Sequence, residues 1–117
     1  MAEAPVHFAR SIERWQRITL HEQLGNLGSE VGRALRARAA GNSDRFQPAL
    51  ERTLELFDLT LADPRHRGRF KEICRAREVL LDFLVGSNDY ASTASSIDAY
   101  YLQFGKAARR SPGRAER

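Results

Sequence analysis

The sequence predicts an all-α protein, a four-helix up-down-up-down bundle preceded by a short N-terminal helical arm. Apolar residues recur at helical spacing along most of the 117 residues, and no segment alternates with the period of a strand. Short connectors rich in Gly, Asn, Asp and Pro separate the predicted helices, which favours antiparallel neighbours. A chain of this length buries one hydrophobic core. We therefore expect a single domain over residues 1–110 and a disordered basic tail over residues 111–117.

The arm is predicted over residues 6–17, because Phe8, Ile12 and Trp15 share one helical face. Thr19 followed by Glu22 three residues later is typical of a capping box, which predicts a helix start there. The buried seam of this helix repeats at intervals of four and three residues: Leu20, Leu24, Leu27, Val31 and Ala34. We expect it to stop at Gly41-Asn42.

Three more helices follow. The next begins near Ser43 or Asp44 and ends at Asp63-Pro64, and a basic connector leads to a helix over residues 70–85. The stripe predicted to be buried on that helix is Phe70, Ile73, Cys74, Leu80, Leu81 and Leu84. The last helix opens at Ser92, Thr93 or Ser95, with Ser95 and Asp98 as the preferred capping box. Its buried face is predicted to hold Ile97, Tyr100 or Tyr101, Phe104 and Ala108.

Three small residues, Gly25, Gly28 and Gly32, form a stripe on the helix that follows Thr19. Each glycine inside a helix costs about 1 kcal/mol relative to Ala, so the stripe indicates close approach of another helix, within the bundle or across a dimer. The partner expected first is a second copy, held through this helix or through the arm. The alternative is that a different protein, not a second copy, is the partner.

Composition narrows the function classes. The net charge is +4, but residues 109–117 hold four Arg against one Glu, which leaves +1 for the other 108 residues. No apolar run is long enough to cross a membrane, and no secretory leader is evident, so a cytoplasmic protein without membrane contact is expected. Cys74 alone excludes an internal disulfide. The three His residues lack metal-ligand spacing, so neither a metal nor a cofactor is predicted.

Arg77 lies on the apolar face of its helix, between Ile73 and Leu81. A guanidinium there needs a carboxylate or a route to solvent. The favoured interpretation is an ion-pair seam with the preceding helix, which carries Glu51, Glu55 and Asp58; Glu30 is a further partner. The alternative is a binding-site role for Arg77.

Basic residues are also expected to gather at one end of the bundle. Arg65, Arg67 and Arg69 start the third long helix, and Arg14, Arg17, Lys106, Arg109 and Arg110 belong to the same end. Such a pole binds phosphate or a nucleic-acid backbone electrostatically, or simply faces solvent or a partner. No aromatic residues are interleaved within residues 65–69 to stack on bases.

Two resemblances extend these readings. The segments 23–31, 49–60 and 77–90 resemble small bacterial all-helical proteins, which implies no particular activity. Arg77-Glu78, Asp82-Phe83 and Asn88-Asp89-Tyr90 are similar in layout to the late-helix motif of HEPN-domain proteins, many of them ribonucleases of toxin–antitoxin and defence systems. In that family a histidine acts with the arginine near the attacked phosphate, and Asp82 holds the histidine position here. The resemblance therefore implies a member without nuclease activity.

The leading hypothesis is a non-catalytic interaction module, and nothing in the sequence demands an enzyme. The second is a HEPN-like RNA-binding protein or ribonuclease, with Arg77 and Asp82 as catalytic candidates in a groove shared with Asn88, Tyr90 and Glu30. The third is a phosphate or nucleic-acid contact through Arg65, Arg67 and Arg69.

Overall fold

The all-α class is confirmed. The computed structural model describes residues 12–110, with side chains to residue 102, and this part contains no strand. Its helices are α1 (12–16), α2 (Leu20–Ala39), α3 (Ser43–Leu61), a 3-10 helix (Pro64–Arg69), α4 (Phe70–Leu84) and α5 (Ala94–Arg110). The predictions for Phe8 and the tail, and for the side chains of Phe104, Lys106, Ala108, Arg109 and Arg110, lie outside the described residues.

The predicted ends of α2 are confirmed. Thr19 Oγ1 accepts a 3.0 Å hydrogen bond from the Glu22 N–H, and Glu22 Oε1 accepts one of 3.0 Å from the Thr19 N–H. At the other end Gly41 has a φ of +67°, in the left-handed region that favours glycine. Asn42 then caps α3, because its Oδ1 accepts the Arg45 N–H at 3.2 Å.

The preferred start of the last helix was wrong. Thr93, not Ser95, precedes α5: Thr93 Oγ1 accepts the Ser96 N–H at 3.0 Å, and Ser96 Oγ accepts the Thr93 N–H at 3.0 Å. Ser96 occupies the position that Glu or Gln has in the usual capping box. The basic connector is also more regular than predicted, because Asp63 caps a 3-10 helix there by accepting the Arg65 N–H at 3.0 Å.

The core lies between α2, α3, α4 and α5 and includes side chains from each, Leu27, Phe57, Leu80 and Ile97 among them. Of the two tyrosines left open, Tyr101 is the inward one, 4% exposed, with its ring edge-on to Phe57 at 6.4 Å between centroids. Phe70 does not join the core as predicted. It begins α4 and is 50% exposed.

Helix α2 is the best-buried helix, and its glycines explain why α5 lies so close. A Cβ on Gly28 would be 3.0 Å from the Tyr101 Cβ, so this glycine of the stripe serves contact within the chain. Helix α4 is seated less deeply. Only Ile73, Leu80 and Leu84 of its fifteen residues are fully buried, and a cleft opens on each side of it. None of the helices in the described part combines the length and apolarity that a membrane crossing needs.

Candidate binding site

The groove between α4 and α5 is a largely apolar concave surface. Its volume is about 300 Å³. Ala76, Val79, Leu80, Ile97, Tyr100 and Tyr101 supply its apolar wall, and Glu72, Arg75, Ser92 and Ser96 supply its polar atoms. An apolar hollow with a few polar groups at its edge is the usual form of a binding surface.

Two tyrosines divide the groove into floor and mouth. The Tyr101 hydroxyl donates to the carbonyl of Ala76 at 3.4 Å, across the groove floor, and burial strongly raises its pKa. Tyr100 lies at the mouth, 37% exposed, with its ring edge-on to Tyr101 at 5.1 Å. Burial, followed by the nearby Glu72 carboxylate, raises the pKa of Tyr100. Both phenols therefore stay uncharged at neutral pH, and the groove keeps its apolar character.

Glu72 and Arg75 place opposite charges on the rim, and they do not pair with each other. Arg75 lies over the ring of Tyr90, with its Cζ 5.4 Å from the ring centroid. Glu72 forms no ion pair within 4.0 Å with any residue in the described range. Pairs with the same separation do form elsewhere, Glu30 with Arg33 and Arg52 with Glu55.

Asp82 anchors the loop between α4 and α5. Its Oδ1 accepts the N–H of Asp89 at 2.9 Å, and its Oδ2 accepts the N–H of Tyr90 at 3.0 Å. The chain must double back closely there, because a Cβ on Gly86 would lie 2.9 Å from the Asp82 carbonyl oxygen. Both carboxylate oxygens of Asp82 are thus engaged with main-chain donors.

Asn88 and Tyr90 complete this loop. Asn88 has a φ of +57°; its amide donates to the Ser92 carbonyl at 3.0 Å and its Oδ1 accepts the Ser92 N–H at 2.9 Å. The Tyr90 hydroxyl donates to Glu78 Oε2 at 2.6 Å, and this bond raises the Tyr90 pKa. Of the predicted groove residues, the structure therefore brings together Asp82, Asn88 and Tyr90, as parts of one hydrogen-bonded loop.

Arg77 lies in the second cleft, between α3 and α4. This cleft has a volume of about 410 Å³ and is lined by Asp58, Leu61, Cys74, Arg77, Glu78 and Leu81. The predicted ion-pair seam is wrong for the described residues, because none of Glu51, Glu55 and Asp58 lies within 4.0 Å of a basic group on α4. The Arg77 Nε is buried with no hydrogen-bond partner among them. Asp58 and Arg77 line the same cleft without forming an ion pair.

Two other predicted groups are used elsewhere. Glu30, expected as a partner for Arg77, pairs with Arg33 on its own helix. Arg65 is exposed but bonded to its own chain: its Nη2 donates to Asp63 Oδ2 at 2.7 Å and to the Ile18 carbonyl at 2.9 Å. Arg67 and Arg69 are exposed. The anion pole therefore keeps only part of its predicted charge accessible.

Sequence reasoning missed a buried polar network where α1, α2 and α3 meet. Gln23 is fully buried; its Nε2 donates to the Trp15 carbonyl at 2.9 Å and to Asp63 Oδ2 at 2.8 Å. Because both of these are acceptors, the Gln23 Oε1 must accept from His66 Nε2, 2.8 Å away. The Trp15 indole donates to Thr60 Oγ1 at 3.1 Å. Trp15 is thus a core residue, packed within its own chain.

Asp63 is the charged centre of this network. Burial opposes its ionisation, but hydrogen bonds from the Arg65 side chain and main chain and from Gln23 outweigh burial and lower its pKa to about 2. Its role is structural, since every partner belongs to the chain itself. The sequence offered one signal, a carboxylate directly before Pro64, which marks a helix cap and nothing more.

The described residues contain no group of three or more His, Cys, Asp or Glu side chains placed to hold a metal ion. The candidate site is therefore an apolar groove with one acidic residue, Glu72, and one basic residue, Arg75, on its rim. No protein-family model, curated protein or solved structure matches this chain.

Proposed function

We propose that this protein is a non-catalytic, cytoplasmic interaction module that binds apolar side chains of a partner in the α4–α5 groove. The observation that carries the proposal is the groove itself, about 300 Å³ with a largely aliphatic and aromatic wall and the half-exposed Tyr100 at its mouth. A partner that fills it buries apolar surface at about 25 cal/mol per Å².

The proposal includes helices that alternate in direction, because α4 and α5 then run antiparallel and form the two sides of the groove. Contacts near the helix ends support an up-down-up-down order. Gln23 near the start of α2 bonds to Asp63 beyond the end of α3, and Arg38 near the end of α2 donates to the Leu84 carbonyl at 3.4 Å. Gly28 meets Tyr101, and Gly32 meets Asp98, so α5 runs back along α2.

The side chains named for a ribonuclease do not favour that alternative over binding. The oxygens of Asp82 accept two main-chain hydrogen bonds, so the carboxylate serves the loop. Arg77 faces the other cleft, towards α3. An acid–base pair needs both groups within reach of one reacting atom.

The test uses a photo-reactive phenylalanine analogue in place of Tyr100. The matched control carries the same analogue in place of Leu102, which is on the same helix and 49% exposed. Irradiation in cells that naturally express the protein should give a covalent adduct from position 100 and none, or far less, from position 102. The mass of the adduct distinguishes a second copy from another protein. Equal labelling at the two positions, or none at position 100, contradicts the proposal.

A further inference from the structure

The face made by α4 and α5 offers exposed side chains for self-association. The face of α2 at Gly28 is covered, because Tyr101 of α5 lies on it. Trp15 of α1 is also buried and bonded to Thr60. These residues of the two surfaces first expected to pair two copies therefore make contacts within one chain.

We infer that two copies associate through their α4–α5 faces, with Glu72 of each copy against Arg75 of the other. This inference rests on the proposed function and names the partner. A contact about a two-fold axis is formed by the same patch on both copies, so the patch must be complementary to itself. An apolar groove with one positive and one negative residue on its rim meets that condition.

The charged residues on the rim of the groove determine which residues of the two copies face each other. Glu72 and Arg75 are three residues apart on α4, both are exposed, and both line the groove. A two-fold axis that crosses α4 between residues 73 and 74 makes the two copies of the helix antiparallel. It places residue 72 of each copy opposite residue 75 of the other, so the interface gains two ion pairs at once.

The state of these side chains in the single chain favours such pairing. Glu72 has no ion pair with a described residue, although the same spacing produces one in Glu30–Arg33. Arg75 lies over the Tyr90 ring rather than beside Glu72, and Tyr90 is itself bonded to Glu78. Arg75 is therefore exposed near a carboxylate that pairs with no described residue. Opposed charges of this kind set orientation and partner choice more than affinity.

Charge reversal tests the register. Light scattering on the full chain over a wide concentration range should show a monomer–dimer equilibrium. We expect Glu72→Arg and Arg75→Glu each to raise the dimer dissociation constant at least tenfold, because each places like charges face to face. The double variant E72R/R75E re-forms both pairs with the charges exchanged and should return close to wild type. Arg52→Glu, on the exposed face of α3, is the matched control and should not change association.

Three results overturn the inference: a wild-type chain that stays monomeric throughout, single reversals that dimerise normally, or a double variant as weak as the singles. Circular dichroism confirms in each case that the variant is folded. The photo-crosslinking experiment separates this failure from failure of the proposed function. A monomeric chain that is still labelled through position 100 by another protein retains the groove function with a different partner. A monomeric chain without such an adduct loses both.

Discussion

Gly28 of α2 lies directly against Tyr101 of α5. A Cβ on Gly28 would be 3.0 Å from the Tyr101 Cβ and 3.2 Å from its carbonyl oxygen, and main-chain atoms cannot move aside cheaply. One turn later, the closest contact of a Cβ on Gly32 would be the guanidinium end of Arg36, at 3.1 Å, and the Asp98 Oδ1 would lie at an ordinary 3.7 Å. Two glycines on one helix therefore tolerate a methyl group to very different degrees.

We predict opposite effects for alanine at these two positions. Gly32→Ala gains helix propensity and should raise the free energy of unfolding by up to about 1 kcal/mol, because the Arg36 side chain can swing away. Gly28→Ala gains the same helix propensity but overpacks the α2–α5 contact. It should therefore lower the free energy of unfolding by about 1 kcal/mol. Urea denaturation measures both. Equal stabilisation by the two substitutions would show that α5 does not lie as close as the structure places it.

Gln23 holds three groups together in the buried network. Gln23→Met keeps the size of the side chain but removes its bonds to the Trp15 carbonyl, Asp63 and His66. Since these polar groups stay buried, we expect a loss of about 2–4 kcal/mol in unfolding free energy. Gln47→Met, at an exposed site on α3, is the control and should change stability by less than about 0.5 kcal/mol. Similar small effects at both sites would contradict the network.

Asp63 makes stability depend on pH in the acid range. Its pKa is about 2 in the folded chain, against the ordinary value of 3.8 for an aspartate side chain. A lowered pKa stabilises the folded state at every pH above the pKa of the same group in the unfolded chain. This contribution disappears as pH falls from about 4 towards 2. The shift corresponds to about 2 kcal/mol.

The measurement compares wild type with Asp63→Asn by urea denaturation at neutral pH and at pH near 2. The difference in unfolding free energy between the two proteins should shrink by about 2 kcal/mol on acidification. A difference that stays constant would mean that the Asp63 pKa is not lowered by folding. Substituting Asp98, an exposed carboxylate on α5, with Asn should leave the pH dependence as in wild type.

Asp82 should control the order of the loop that follows α4. Asp82→Ala removes the acceptors of the Asp89 and Tyr90 N–H groups, so hydrogen exchange at these two amides should accelerate by about tenfold or more. Amides in the middle of α2 should change little and serve as internal controls. Unchanged exchange at Asp89 and Tyr90 would instead release Asp82 for a role in a binding site.

Local signals were enough to predict most helix ends. The Thr19–Glu22 box and the Gly41-Asn42 stop each depend on residues within a few positions, and the structure has both. Thr93 was among the three predicted starts of α5, but Ser95 was preferred to it because Ser96 replaces the Glu or Gln that the pattern requires. Nothing in a short window distinguishes that serine from the others nearby.

Features that depend on helix separation were predicted less well. Arg77 was placed correctly between Ile73 and Leu81, but of its expected carboxylates only Asp58 lines the same cleft, and charge pattern alone does not give the distance between two helices. The Gln23–His66 bond joins residues 43 positions apart. Polar residues of this type are mostly exposed, so composition favoured the surface for both. The α4–α5 groove likewise exists because few residues of α4 are buried against the other helices. Hydrophobic periodicity does not predict how deeply a helix packs.

The α4–α5 face is the surface through which we propose that this chain associates. The most direct test is a dilution series of the ¹⁵N-labelled full chain followed by amide NMR. We expect amide shifts around Ala76, Val79 and Ile97 to change with concentration while those on the outer face of α3, at Glu51 and Arg52, stay fixed. Shifts that change instead on α3, or that change nowhere while the chain remains monomeric, would contradict it.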